Sequence, residues 1–358
     1  MWCSGAVVVW LLAAAILPNG APLGVVLIGA ILGSASALTA VGLVLIWRSA
    51  RIVNFAVGGL GAATGLSVIR LHTAWGWPYP VALVLGVLCG ISVGVIVELV
   101  VIRRFTNSPR LLATVATIGL AQLLGGVELT LPGAIFGTNT GPVTIGGFET
   151  PLSSWKMKVG AHIIDGNHVL IVLVVPLLVF GLSAFLKRSL TGTAIRAASM
   201  NRDWARLLGI DVGKLSMLTW GLAGGLAAAT YLLQAPFLGT VPQAAAGAAS
   251  LMVPLAAALI ARMESMPVAC AAAVALGSLD QVVRWNASRT PTMSDLVLLL
   301  VILATLLFRK SSSSRAADDD SALQLPSLDR MRIHVGGPKT AGWMKLAGVT
   351  VLFVLCVL

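Results

Sequence analysis

The sequence predicts an all-α protein, a polytopic transmembrane bundle of about ten helices plus the start of another, and three observations carry that expectation. The first is composition: 58% of residues are hydrophobic and 10% charged, with mean hydropathy +0.96, whereas soluble domains run near half apolar and a quarter charged. The second is spacing, because the apolar residues come in blocks of roughly 17–25, the length a bilayer core demands of a helix. The third is a set of small residues at helical intervals inside those blocks, the pattern that lets helices approach closely in lipid.

Taken in order, the blocks are Cys3–Leu17, Leu23–Trp47, Val53–Ile69, Pro80–Ile102, Leu111–Leu131, His168–Leu186, Leu215–Leu233, Ala246–Ala261, Met266–Val283 and Met293–Phe308, with Trp343–Leu358 opening a further one. Each must be helical, since hydrocarbon offers no partner to free backbone N–H and C=O groups. The Gly-rich Val53–Ile69 block reads as a broken or re-entrant helix. Close-packing faces are expected at Gly29 and Gly33, at Gly61 and Gly65, at Gly86, Gly90 and Gly94, and at Gly221 and Gly225.

The net charge of +11 does not point to nucleic acid, because the basic residues lie in loops between blocks. With alternating spans and a cytoplasmic N-terminus, the outer loops hold only Arg70, Lys156, Lys158, Arg284 and Arg289. The positive-inside bias therefore places the chain in the cell membrane, multi-pass, with its N-terminus in the cytoplasm.

Polar groups inside apolar blocks must face a partner or a wet cavity. Glu98 stands one turn beyond Gly94 on the face of Gly86 and Gly90, and either snorkels toward Arg103 and Arg104 or serves function. In the next block Thr114, Thr117, Ala121, Gly125 and Glu128 form one continuous face. That face either lines a translocation path or holds Thr hydroxyls bonded to their own helix.

Enzyme chemistry finds no footing. A phosphate-cradling loop needs G-x-x-x-x-G-K-[ST], but Gly213-Lys214-Leu215 lacks the hydroxyl and Gly337-Pro338-Lys339-Thr340 has Pro in place of Gly. Cys3, Cys89, Cys270 and Cys356 sit in apolar blocks without paired spacing, and His72, His162, His168 and His334 are scattered. No cofactor or metal is expected.

The longest inner connection inside the bundle, residues 187–214, reads as two short helices, Thr193–Met200 and Arg202–Leu208. Asn201 caps the second, and Gly209 follows as its C′ residue. Trp204, Leu207 and Leu208 give the second helix an apolar side next to Arg202 and Arg206. Such a helix either docks in the groove of a soluble partner or lies on the headgroups.

Here the chain resembles a known family. Thr191-Gly192-Thr193-Ala194-Ile195-Arg196-Ala197, then Asn201, Ala205-Arg206-Leu207-Leu208-Gly209-Ile210 and Leu222-Ala223-Gly224-Gly225-Leu226-Ala227-Ala228 are similar to the cytoplasmic loop and following helix of the branched-chain amino acid ABC transporter permeases. Gly42-Leu43-Val44-Leu45-Ile46, Arg51-Ile52-Val53-Asn54-Phe55-Ala56 and Pro109-Arg110-Leu111-Leu112-Ala113-Thr114 fit the family's earlier segments. The likeness runs from about Gly33 to Phe308. Two places depart from it: Val57-Gly58-Gly59 stands where the family usually carries His-Gly-Glu, and Ala261-Arg262-Met263-Glu264-Ser265-Met266-Pro267 replaces a turn that is normally Gly-rich.

The resemblance implies a permease subunit of an ATP-driven importer for branched-chain amino acids or related small polar solutes. It implies cytoplasmic ABC ATPase subunits, a second permease domain and an extracytoplasmic solute-binding protein that delivers to the outer loops, especially Pro132–Asn167. The substrate path would involve Asn54, Phe55, Gly58, Thr114, Thr117 and Glu128. ATPase coupling would run through Arg196, Asn201, Arg202, Trp204, Arg206, Leu207, Leu208 and Gly209. Residues 1–309 read as the permease domain and 310–341 as a polar linker too poor in apolar residues to bury a core. Residues 342–358 are expected to begin a second, truncated permease domain, with a single extra helix as the alternative. The competing class is an ion-coupled secondary transporter or channel, which would use Glu98 and Glu128 as ion sites.

Overall fold

A computed structural model describes residues 19–105, 108–136, 150–159, 162–200, 202–238, 250–287 and 292–307. The Cys3–Leu17 block, the linker and the Trp343–Leu358 block lie outside the described residues. Backbone contacts divide the chain into two compact units, Ala21–Leu298 and the terminal stretches Met1–Gly20 with Leu299–Leu358. The first unit holds every helix and site described below except the end of the final helix.

The chain is an all-α polytopic bundle. Among the described residues its helices are α1 (Leu23–Ala50), α2 (Val57–Trp75), α3 (Tyr79–Val100), α4 (Arg110–Phe136), α5 (Gly166–Arg188), α6 (Leu190–Met200), α7 (Arg202–Leu207), α8 (Val212–Leu238), α9 (Met252–Ile260), α10 (Met266–Asn286) and α11 (Thr292–Leu307). A short 3-10 turn, Ile102–Phe105, follows α3. Among the described residues six helices, α1, α3, α4, α5, α8 and α10, are long and apolar enough to cross a membrane.

Three sequence expectations need correction. Val53–Ile69 is not a broken helix: α2 runs unbroken from Val57 to Trp75. Its predicted start is non-helical instead, because Arg51 ends α1 in the left-handed region at φ 56°. Pro132 is not in an outer loop but inside α4, which continues to Phe136. The same loop contains an antiparallel hairpin, β1 (Lys156–Val159) and β2 (His162–Asp165). Asp165 then caps α5, its Oδ1 2.6 Å from His168 Nδ1.

α8 is the centre of the unit, packed against α1, α2 and α3. Glycine makes two of the crossings possible. A Cβ on Gly90 of α3 would stand 2.7 Å from the Gly224 carbonyl oxygen and 2.6 Å from Ala228 Cβ on α8. A Cβ on Gly33 of α1 would stand 2.5 Å from the Ala273 oxygen of α10. Dispersion between closely packed backbones substitutes for the hydrophobic drive that lipid does not supply.

A polar seam adds to the α1–α8 contact. Thr39 donates to Thr230 at 2.9 Å, and the Gln234 amide donates to Leu32 O and Ser36 Oγ, both at 3.0 Å. Ser49 and Thr219 share a bond at 3.0 Å. Each such bond is worth about 0.6 kcal/mol in membrane proteins, so the seam fixes register more than it supplies stability.

The turn between α9 and α10 shows what the missing glycines entail. Arg262 and Met263 both adopt positive φ, 56° and 57°. The Met263 N–H donates to Ala258 O at 2.8 Å, closing the end of α9. Two consecutive left-handed side-chain-bearing residues cost about 1–2 kcal/mol each, a penalty glycine would not incur.

Candidate translocation site and coupling face

The connection of residues 51–56 joins the functional regions. Its Asn54 is 1% exposed, and the side-chain Oδ1 accepts from the Ala56 N–H at 2.9 Å, turning the chain into α2. The amide Nδ2 is buried with no protein partner. The Phe55 N–H donates to Thr117 Oγ1 of α4 at 3.2 Å. The Thr117 hydroxyl in turn reaches Thr114 O at 2.7 Å and Val53 O at 3.3 Å. Gly58 lies buried in the first turn of α2.

Asn54, Phe55, Gly58 and Thr117 are thus brought together, around one end of α2. Thr117, Gly125 and Glu128 are buried and Thr114 and Ala121 half-buried, because this face of α4 packs against α2. Glu128 is separate from the 51–56 connection, about three turns further along α4. It lies, with Arg70 of α2, within electrostatic reach of the Tyr231 hydroxyl of α8. The other face of α4 is exposed at Gly119, Gln122, Gly126 and Thr130.

At its other end the connection meets the short helices. Arg51 Nη2 donates to Ser199 O of α6 at 3.3 Å. Arg196 Nη2 donates to Thr193 Oγ1 at 3.2 Å and to Lys187 O at 3.5 Å. α6 begins at Leu190, three residues before the predicted Thr193. It begins there because Ser189 caps it, its Oγ accepting from Gly192 N–H at 2.8 Å.

α7 ends as the sequence predicts. Gly209 is left-handed, φ 78°, and the Ile210 N–H donates back to Ala205 O at 3.0 Å, the six-to-one bond of a Schellman motif. Arg202 opens the helix and Arg206 lies in its last turn; Asn201 lies outside the described residues. Ala205 is 2% exposed and packs inward with Ile195, Ala198 and Val212. Trp204, Leu207 and Leu208 are 66%, 80% and 74% exposed. A rigidly stopped helix therefore presents three large apolar side chains outward.

The foot of α8 carries Ser216 and Trp220, which the sequence reading did not single out, next to Glu98 of α3, which it did. Glu98, 2% exposed, lies near Ser216 and within electrostatic reach of the Arg103 guanidinium. Its Oε2 is buried without a partner, as is Trp220 Nε1. The spacing carried the signal: Gly90, Gly94 and Glu98 descend α3 in fours while Gly224, Trp220 and Ser216 descend α8 in fours.

These features describe a multi-pass membrane bundle with a short helix, apolar on its exposed side, between two of its spans. The profile of the family described as branched-chain amino acid transport system, permease component, matches residues 25–306, and the chain belongs to that family of ABC transporter permeases. It is a transport protein rather than an enzyme. The high-affinity branched-chain amino acid transport system permease protein LivH of Salmonella typhimurium strain LT2 is 27% identical over 229 residues, 60% of this chain and 70% of that one. LivH of Escherichia coli K12 gives the same figures. A permease described as probable LivH from Methanocaldococcus jannaschii is 26% identical over 196 residues, 53% of this chain and 59% of that one. A solved ABC transporter of metal-chelate type in an inward-facing conformation, 17% identical, superposes with TM-score 0.46 over 80% of this chain and 85% of its own, a likeness too loose to fix the path of the chain.

Proposed function

We propose that this chain is one permease half of an importer that takes up branched-chain amino acids or related small polar solutes. A second permease domain completes the pathway, cytoplasmic ATPase subunits dock on α7, and an extracytoplasmic binding protein delivers solute. The N-terminus is cytoplasmic in this arrangement, so the 187–214 connection faces the ATPases and the β1–β2 hairpin faces the binding protein.

The observation that supports the reading is the exposed Trp204–Leu207–Leu208 cluster on a helix whose opposite side is packed. An apolar cluster of this kind, on a helix whose sequence also carries Arg202 and Arg206, suits a hydrophobic groove with a polar rim. Force applied there has a route inward. α7 continues into α8, and Arg51 ties α6 to the 51–56 connection, which Thr117 ties to α4.

Asn54, Phe55, Gly58, Thr114, Thr117 and Glu128 are proposed as the groups that respond to this motion and shape the solute path. A two-state bundle is biased by docking energy only to the extent that the two states dock differently.

The test is transport and substrate-stimulated ATP hydrolysis in reconstituted vesicles. Trp204→Ala is expected to lower both and to weaken ATPase pull-down, because buried aromatic anchors contribute about 2 kcal/mol or more. Arg202→Ala, at the rim, should have the smaller effect. Full ATPase binding and full stimulation by the Trp204→Ala protein would reduce α7 to an interfacial helix.

A further inference from the structure

We propose that the β1–β2 hairpin is a lipid-binding surface that lies at headgroup level and takes the phosphates of anionic phospholipids on Lys156 and Lys158. The inference goes beyond the reading above. It needs only that the bundle crosses a bilayer, and depends on neither the cargo nor the ATPases.

The way the hairpin is joined to the bundle fixes its depth. β2 ends at Asp165 and α5 begins at Gly166, so there is no spacer between them. The joint is also stiff. The Gly166 N–H donates to Trp155 O at 3.0 Å, Thr150 Oγ1 donates to Asn167 Oδ1 at 2.6 Å, and a Cβ on Gly166 would collide with the Leu152 carbonyl oxygen. The His168 ring rests on Phe237 of α8, centroids 4.2 Å apart. Lipid-facing surface begins close by: Val169 is exposed one turn, about 6 Å, beyond Asp165. β2 also packs against α1, whose first residue, Leu23, is exposed. Yet the hairpin cannot sink into hydrocarbon, because each strand of a two-stranded sheet keeps an open backbone edge. Those edges confine it to the headgroup layer, where water and phosphate satisfy them.

Tryptophan marks the same level. Trp75 closes α2, Trp77 precedes α3 and Trp285 lies in the last turn of α10, and all three are exposed. The contacts of Gly65 with Tyr231, Tyr79 with Leu232, Leu32 with Gln234 and Val26 with Ser278 bring these helix ends to the end of the bundle that carries the hairpin. Trp155, 52% exposed, stands there as well. Tryptophan gathers at membrane–water interfaces, where its ring is half solvated.

The outward face of the hairpin has the chemistry of an anionic headgroup site. Lys156 pairs in register with Asp165, and Lys158 with Ile163, so the two lysines and Ile163 share a face. Ile164, on the other face, is buried and turns that side toward the protein. Asp165 is engaged by His168 Nδ1 at 2.6 Å, and among the described residues no carboxylate pairs with either lysine. Ile163 is 57% exposed between them. Two unneutralised cations around an apolar side chain suit phosphates lying above acyl chains.

The test is amide hydrogen exchange at residues 156–159 and 162–165, compared in nanodiscs of phosphatidylcholine and of equal parts phosphatidylcholine and phosphatidylglycerol. The native protein is expected to exchange about tenfold more slowly in the anionic discs, since each lysine near such a surface contributes a several-fold preference. The slowing should vanish in about 1 M salt, where the Debye length falls to about 3 Å. Lys156→Gln combined with Lys158→Gln should abolish it, and Lys156→Arg combined with Lys158→Arg should keep it.

Equal exchange in the two lipids would overturn the proposal and leave the hairpin to water or to a protein partner. Slowing that the glutamine protein retains would overturn it too, because the lipid would then act elsewhere on the bundle. Slowing that survives high salt would assign the contact to the apolar side chains and refute recognition of the phosphates. The lipid and salt comparisons use the native protein, so they decide the matter even if a variant folds poorly.

Discussion

Thr117 is where a residue-scale reading of the sequence and the folded chain give different weight to one hydroxyl. On sequence it belongs to a small, polar face suited to a path; in the fold it is 0% exposed and serves the backbone of residues 53–55. Thr117→Val leaves the Phe55 N–H without its acceptor, and a buried unmatched donor costs about 1–3 kcal/mol. The variant should therefore unfold at lower temperature in detergent, with Thr117→Ser close to wild type. Thr114→Val, half-buried, should unfold like the parent, so that any transport defect in it belongs to the path and not to folding. Periodicity located the face correctly because a helix repeats every 3.6 residues whatever it touches. It could not tell which side of α4 meets α2, since that is decided by a helix more than forty residues away in sequence.

At the scale of elements, the helix ends were largely legible and the breaks between them were not. Gly209 announced the end of α7 because glycine is the residue that tolerates a left-handed C′ position. Arg51, Arg262 and Met263 take up the same backbone region without glycine, so no residue type marked the turns. Arg262→Gly, at the exposed one of these two positions, should raise the unfolding temperature by relieving a strain of about 1 kcal/mol, the reverse of the usual effect of adding glycine.

The start of α8 gives a pH test. Asp211 is held below the usual carboxylate range, chiefly by the Lys214 backbone N–H that donates to Oδ1 at 3.1 Å, with the Lys214 ammonium adding to it. A depressed carboxylate stabilises the fold above its unfolded pKa and loses that contribution as pH falls through the folded value. Acid below about pH 4 should thus loosen the joint between α7 and α8, measurable as faster amide exchange at residues 211–215. Asp211→Asn should flatten that dependence, and an unchanged pH profile would remove Asp211 from the joint.

For the whole molecule, composition alone was enough to recognise a membrane bundle, but not to rank its spans. Of the six candidate spans α5 is the most apolar and α8 the least, yet only 17% of the 18-residue apolar stretch of α5 is buried inside the protein against 83% of that of α8. The helix that looks least suited to lipid is the one that meets least of it. Thr219, Thr230 and Gln234 can sit in α8 because α1 receives them. This has a bearing on how the protein is made. A segment so poor in apolar side chains partitions weakly into a bilayer by itself, so during synthesis α8 should leave the insertion machinery only once earlier helices wait beside it. In a glycosylation-mapping assay, α8 presented alone should integrate inefficiently, and the same segment following α1–α3 should integrate well. Bulky substitutions at Gly90 or Gly94 would then be felt first as a defect of biogenesis, with chains trapped and degraded before any transporter exists to be assayed.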